Sequence, residues 1–421
     1  MRLTTTGVVS SLVAITIVKI ALFVTLFSAG RIVPFSGDNA VDHYIPAAQR
    51  LLREGRFNGP DSRLDSKVPP GYSTVLAASM AVAPAKYGVV AVTLQMLADL
   101  ATALLLFWVG SAFVGALQGA IAGAIWLLYP PEIALSTWIT AETLFTTIFI
   151  AAVVLLIVSL TKSRASLALL AGVLLGTATL FRGTPVMLCV PLFLLALSRR
   201  AYRWYVLVLV GFALVVAPWA IRNRIVLNDP IPVAVGFGSA FLQGSDERVF
   251  TIEGKHAVFP ELYAHAAQAG IVKPASDHEG GIDSWLFAVG LHRYVERLRD
   301  EPLSFVPFVM KKTLLLWFST ESGTFRGQLF LGLCSLPIVL AGLVQLWKWV
   351  VAGTTLGMVI GIVCGYFALL HIATLPLNRY MLPVYPLLIL GASSWFVDWV
   401  VRIRFGTFHS QLVRPYEMPT A

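Results

Sequence analysis

Charge is scarce in this sequence, and acids are scarcer than bases. Only 13% of the 421 residues are Asp, Glu, Lys or Arg, with 22 acids against 31 bases, while 57% are hydrophobic. Mean hydropathy is +0.79. Soluble domains carry about 25% charged and 45–50% apolar residues, so a water-soluble globule is excluded and a polytopic membrane protein is implied. Cysteine is also rare. Cys189, Cys334 and Cys364 each sit inside an apolar run and none forms a CxxC pair, which excludes a disulfide framework and a cysteine zinc site. Low-complexity tracts and internal repeats are missing, which argues against an inverted-repeat transporter. His256, His265, His278 and His292 have no ligand spacing such as HExxH. The net charge of +9 does not point to nucleic acid, because the bases occur in small groups beside apolar spans, where membrane topology explains them.

What the sequence does have is long apolar runs. Residues 7–29 suffice to cross a hydrocarbon core about 30 Å thick and lack a small-residue cleavage site, so an uncleaved first helix is expected. Further spans fall near 88–110, 113–130, 137–160, 166–181, 184–198, 204–220, 328–347, 352–371 and 380–401, about ten crossings in all. The short connections carry Lys162 and Arg164, then Arg199, Arg200 and Arg203, then Lys348, then Arg402 and Arg404. If these are cytoplasmic, both termini are inside and two long polar segments, 30–87 and 221–305, share the outer face. Residues 72–85 and 303–319 are short or interrupted by Pro84, Pro307, Lys311 and Lys312, and read as interfacial or re-entrant helices. Three parts result: a transmembrane module 1–220 with its first outer loop, an outer cap 221–305, and a C-terminal module 306–421 ending in a cytoplasmic tail. Lys19 within the first span should face other helices or snorkel, and Asp99 should hydrogen-bond between helices.

The outer face holds the candidate chemistry. In "SGDNAVDHYIPAAQRLLREGRF", residues 36–57, apolar residues from Val41 to Leu52 recur at helical spacing and Gly55 supplies a stop. Asp42 reads as the N-cap of this amphipathic helix, which leaves Asp38 in the preceding loop and free for chemistry; both acids are equally well read as caps. In "SKVPPGYSTVLA", residues 66–77, the paired prolines and Gly71 predict a turn back toward the bilayer, with Lys67 at headgroup depth. The next outer turn, "YPPEIALSTWITAETLFTTIF", carries Glu132 and Glu142, and Glu142 opens an otherwise apolar helix. Arg182 in "LFRGTPV", Arg222 in "PWAIRNRIV", and Arg379 with Tyr380 in "LNRYMLPVYP" all fall at outer helix ends, where positive-inside bias disfavours arginine. Together they read as an anion site, since guanidinium binds phosphate with directional geometry; singly each reads as a headgroup anchor.

The order of an acidic first loop with a juxtamembrane helix, PPGY, "TAETLF", "PWAIRN" and "RYMLPVYP" resembles bacterial GT-C glycosyltransferases. The nearest group is the protein mannosyltransferase and aminoarabinose transferase superfamily, glycosyltransferase family 39, and the resemblance runs from about residue 7 to 401. It implies an all-α bundle in a bacterial inner membrane, with its active site on the extracytoplasmic face. It further implies transfer of a sugar from a polyprenyl-phosphate donor to a protein, lipid or glycan acceptor. In this family the first-loop acid is the catalytic base and a second-turn acid supports the site. Asp38 matches the first role, with Asp42 as its rival, and Glu142 the second; family members place the base about four residues before the loop tyrosine, and that position relative to Tyr44 is Ala40. Lys67, Arg182, Arg222, Arg379 and Tyr380 would hold the donor phosphate, and Tyr44 and Tyr72 belong to the substrate loop. Asp38, Asp42, His43 and Glu142 offer oxygen-rich ligands for a divalent cation, but the resembled family is largely metal-independent, so no obligatory cofactor is expected. The competing readings are a transporter or lipid flippase, and a non-catalytic partner in cell-envelope assembly.

Overall fold

The computed structural model describes residues 4–34, 43–57, 66–249, 252–275, 278–319 and 324–405, and all regular structure among them is helical. Asp38 and Asp42 lie outside the described residues. Helix α1 (Thr5–Ser28) is followed by two helices of the first loop, α2 (Ile45–Glu54) and α3 (Pro70–Val82). Then come α4 (Tyr87–Phe113), α5 (Ala116–Leu128), α6 (Pro130–Leu135), α7 (Glu142–Lys162), α8 (Ala165–Phe181), α9 (Cys189–Ser198) and α10 (Tyr202–Val226). The cap contributes α11 (Phe237–Ser245), α12 (Ile252–Gln268) and α13 (Glu279–Asp300), and the chain closes with α14 (Pro302–Phe318), α15 (Phe325–Val351), α16 (Thr355–Ala373) and α17 (Tyr385–Phe405).

Seven of these helices are long and apolar enough to cross a membrane, counting short 3-10 extensions, and α5, α8 and 184–198 are shorter apolar helices. The ten segments coincide with the ten apolar runs of the sequence, so the protein is a multi-pass, all-α membrane protein. Helix α7 is its centre: 67% of its most apolar stretch is buried inside the bundle, against 22% for α1 and for α10. Several seams are closed by glycine. A methyl group on Gly172 of α8 would overlap the Val208 carbonyl of α10, and one on Gly211 of α10 would overlap that of Leu169. Gly110 of α4 and Gly119 of α5 meet in the same way. Without side chains between them these backbones approach closely, as small residues allow in lipid.

Pro46 sits in the first turn of α2, where a ring with φ near −65° and no N–H costs nothing, and Asp42, the expected N-cap, lies outside the described residues. Two local expectations change. "PPGY" opens α3 instead of forming a turn, since Pro70, like Pro46, is in a first turn; a side chain on Gly71 would collide with the Leu180 carbonyl and Phe181, so α3 packs closely on the end of α8. "PWAIRN" does not open the outer loop, since α10 continues through Pro218 to Val226.

Buried charge is paired. Lys19 Nζ lies 3.0 Å from Asp99 Oδ2, so the lysine faces α4. Glu132 is wholly buried and accepts a hydrogen bond from Thr143 at 2.9 Å. Burial first, and then the neighbouring Asp99 carboxyl, hold Glu132 well above the usual carboxylate range. Asp99 Oδ1 and Glu132 Oε2 have no hydrogen-bond partner among the described residues, and a proton held between the two carboxyls would satisfy both.

The cap is tied to the membrane part at both ends. The Ser66 backbone N–H and hydroxyl both donate to Glu279 in the first turn of α13, and Asp229 accepts from the Gly280 N–H at 2.7 Å. At the other end the fully buried Lys312 of α14 donates to the Gly244 carbonyl at 2.7 Å and to Tyr294 at 2.6 Å.

Candidate active site

The ends of α7, α8 and α17 converge with the start of α2. Helix α8 stops at Phe181 and leaves Arg182 in extended backbone, φ −147° and ψ 126°, ahead of a 3-10 turn, Thr184–Leu188, with Pro185 near its start. Arg182 thereby reaches across to Glu142, the first residue of α7, and the two form an ion pair that is 20% and 7% exposed. Thr140 donates a second hydrogen bond to Glu142. Arg379 and Tyr380 stand on a 3-10 segment, Asn378–Val384, ahead of α17. Asn378 pins that segment, its side-chain amide donating to the Trp317 carbonyl at 2.8 Å and to the Tyr385 hydroxyl at 2.7 Å.

Tyr380 packs against two cations. The Arg182 guanidinium is 5.0 Å from its ring centroid and that of Arg379 5.1 Å, distances at which the ring's negative face attracts a cation. Tyr44 closes the cluster from α2, meeting Tyr72 edge-on at 5.1 Å between centroids. Burial first, then the charge of Glu142, raise the Tyr44 hydroxyl far above its ordinary range against the opposing pull of Arg182 and Arg379. Tyr44 therefore stays neutral and walls the cluster. Two guanidinium groups against one carboxylate leave a net positive charge in a mostly buried setting, which is suited to an anion with several oxygens.

Of the residues singled out in the sequence, Glu142, Arg182, Arg379, Tyr380, Tyr44 and Tyr72 are thus brought together. Lys67 is exposed, beside the buried Ser66. Arg222 joins a different set: it stacks on Trp219 at 4.8 Å and donates to the Phe57 carbonyl at 3.1 Å and to Asn223 at 3.0 Å. Its contacts hold the end of the first loop against α10. Asp38 and Asp42 lie outside the described residues, and α2 begins with Tyr44 two positions beyond Asp42.

Two residues of the cluster escaped sequence reading. Gln95 of α4 accepts from the Tyr72 hydroxyl at 2.6 Å and donates to the carbonyls of Ser136 and Trp138 at 2.8 Å each. It fixes the turn that presents Glu142. His371 of α16 packs on the Tyr380 ring at 5.1 Å, and its Nε2 is buried with no hydrogen-bond partner among the described residues. The only signal for either was a polar residue inside an apolar run.

Solved structures share this architecture. The archaeal oligosaccharyltransferase AglB from Archaeoglobus fulgidus, in complex with an inhibitory peptide and a dolichol-phosphate, superposes with a TM-score of 0.55 at 12% identity, over 97% of this chain and 52% of that one. The apo oligosaccharyltransferase from the same organism gives 0.53, 12%, 95% and 52%. The chain has the GT-C fold. It spans about half the length of these oligosaccharyltransferases. ArnT from Cupriavidus metallidurans bound to undecaprenyl phosphate matches with a TM-score of 0.45 at 14% identity, over 95% of this chain and 80% of that one. No protein-family model matches the sequence, and no curated protein matches it. Within the GT-C frame, the cluster of Glu142, Arg182, Arg379, Tyr380 and Tyr44 is built from the ends of three helices of the bundle and one helix of the first loop.

Proposed function

We propose that the protein is a membrane glycosyltransferase of the bacterial plasma membrane that moves a sugar from a polyprenyl-phosphate donor to an acceptor on the extracytoplasmic face. The observation that carries this is the pair of guanidinium groups, Arg182 and Arg379, both packed on Tyr380 at a helix-end cluster of a GT-C fold. The oligosaccharyltransferase that superposes on this chain was solved with a dolichol-phosphate, a ligand of the class such a cluster suits.

In this reading Arg182 and Arg379 bind the donor phosphate and Glu142 orients Arg182. Lys67 and Arg222 act at the margin. Asp38 takes the proton of the acceptor hydroxyl as that oxygen attacks the anomeric carbon; the new C–O bond forms while the bond from that carbon to the phosphate oxygen breaks. Polyprenyl phosphate leaves as an anion and the anomeric centre inverts. Phosphate is a stable leaving group, so no general acid is required, unlike the two-carboxylate chemistry of glycoside hydrolysis. No obligatory metal is needed for these steps; activity lost in chelator and restored by one divalent ion would refute that.

The test uses purified protein in lipid with a panel of radiolabelled polyprenyl-phosphate sugars. Wild type should release polyprenyl phosphate from one donor, and Asp38→Asn should slow release by about 10²–10⁴. If Asp38→Asn is fully active and Asp42→Asn is not, Asp42 is the base. If donors stay intact while labelled lipid crosses the bilayer, the protein is a transporter.

A further inference from the structure

The cap contains a cluster that the proposed transfer reaction does not use. His265 comes from the last turn of α12, while His292 and Glu296 come from α13, one turn apart on one face. His292 Nε2 lies 3.2 Å from Glu296 Oε1 and His265 Nδ1 lies 3.5 Å from Glu296 Oε2. One ligand atom from each of the three residues can be chosen so that all lie within 4.8 Å of one another.

These separations suit a metal. A zinc ion with ligands at about 2.0–2.1 Å in a tetrahedron spaces neighbouring donors by about 3.3 Å, and the two observed values fall on either side of that. Glu296 Oε2 is buried and makes no hydrogen bond among the described residues. The arginines that flank Glu296 on α13 are directed elsewhere: Arg293 lies 3.5 Å from Asp246, and Arg297 lies 3.7 Å from Glu247 and stacks on Phe308 at 3.9 Å. The nearest ionisable partners of the carboxylate oxygens are therefore two imidazoles. Protonated histidines would supply an ion pair only when two like charges share one small site. A divalent cation binds the neutral form of imidazole and carries no such repulsion.

We infer that His265, His292 and Glu296 form a zinc site that clasps α12 to α13. Two histidines and one carboxylate are a first-row transition-metal set, not a calcium or magnesium one. His265 is 55% exposed, so the fourth position opens to water. The packing between these helices is slight, a cluster built on Leu242, Val258, Leu262, Ala266 and Val289, and small cores of that kind gain most from a metal crosslink.

The test is calorimetric titration of the full-length, metal-stripped protein with zinc alone, backed by cobalt(II), whose visible absorption reports four-coordinate geometry. Wild type should bind one equivalent and melt at a higher temperature with zinc. His292→Ala and the near-isosteric Glu296→Gln should each weaken binding by at least about tenfold and lose the zinc-dependent rise in melting temperature. His278→Ala, at the other end of α13, should bind as wild type does. No zinc binding by wild type, binding that survives both cluster substitutions, or loss of binding in His278→Ala overturns the assignment.

Discussion

The two ends of the bundle both collect arginines, and they use them differently. At one end Arg164, Arg199, Arg200 and Arg203 line a cavity of about 600 Å³, and all four are exposed. Among the described residues only Arg199 of the four uses its side chain in a hydrogen bond, to the Gly353 carbonyl at 2.8 Å. At the other end Arg182 and Arg379 are packed on one aromatic ring, and Arg182 is paired with a buried acid. Exposed charges of the first kind interact with headgroups and set topology, and their energy is screened. Packed charges of the second kind are oriented before any ligand arrives, which is what binding and catalysis require.

The largest test of this contrast removes one oriented charge. Arg182→Ala should lower polyprenyl-phosphate release by about 10²–10³, measured as product per enzyme at saturating donor. Next in size is the buried acid behind the site: Glu132→Ala should cost about 1–3 kcal/mol in chemical unfolding, while Glu132→Gln, which keeps a donor and an acceptor, should cost far less. Equal losses for the two would show that the carboxyl is ionised. A smaller effect belongs to the cap. Burial raises the Asp246 carboxyl, but hydrogen bonds from Arg248 and the charge of Arg293 outweigh it, so the folded acid titrates below its ordinary range. The stability it contributes is present above about pH 4 and is lost as pH falls through the folded value. Asp246→Asn should flatten that acid limb of the melting curve by no more than about 1 kcal/mol, since Arg248 is 46% exposed. Smallest of all, alanine at Arg199, Arg200 and Arg203 together should leave turnover unchanged; a loss comparable to that of Arg182→Ala would erase the distinction between the ends.

Much of the fold was readable because apolar runs and their basic connections are one-dimensional signals. The same topology put Glu142, Arg182, Arg379 and Tyr380 on one face, and the structure brings them into contact. Arg222 shared the face but not the cluster, since the rotation of α10 about its axis decides where its side chain points, and Trp219 and Phe57 take it. Proline misled at Pro70, because the same residue stops a helix from inside and starts one from its first turn. Gln95 and His371 gave no directional signal within apolar runs. The histidines of the cap were invisible as a group, since His265 and His292 are far apart in sequence and meet only when α12 folds along α13.

The glycine contacts between α8 and α10 and between α4 and α5 matter for lipid traffic. A long hydrocarbon chain enters a helical bundle by pushing side chains apart, and where backbone already rests on backbone there is no such layer to displace. Those seams are shut to lipid whatever the charge nearby. The long-chain donor proposed for Arg182 would have to thread between helices that meet through side chains, so the glycines would act as a fence that fixes its direction of approach.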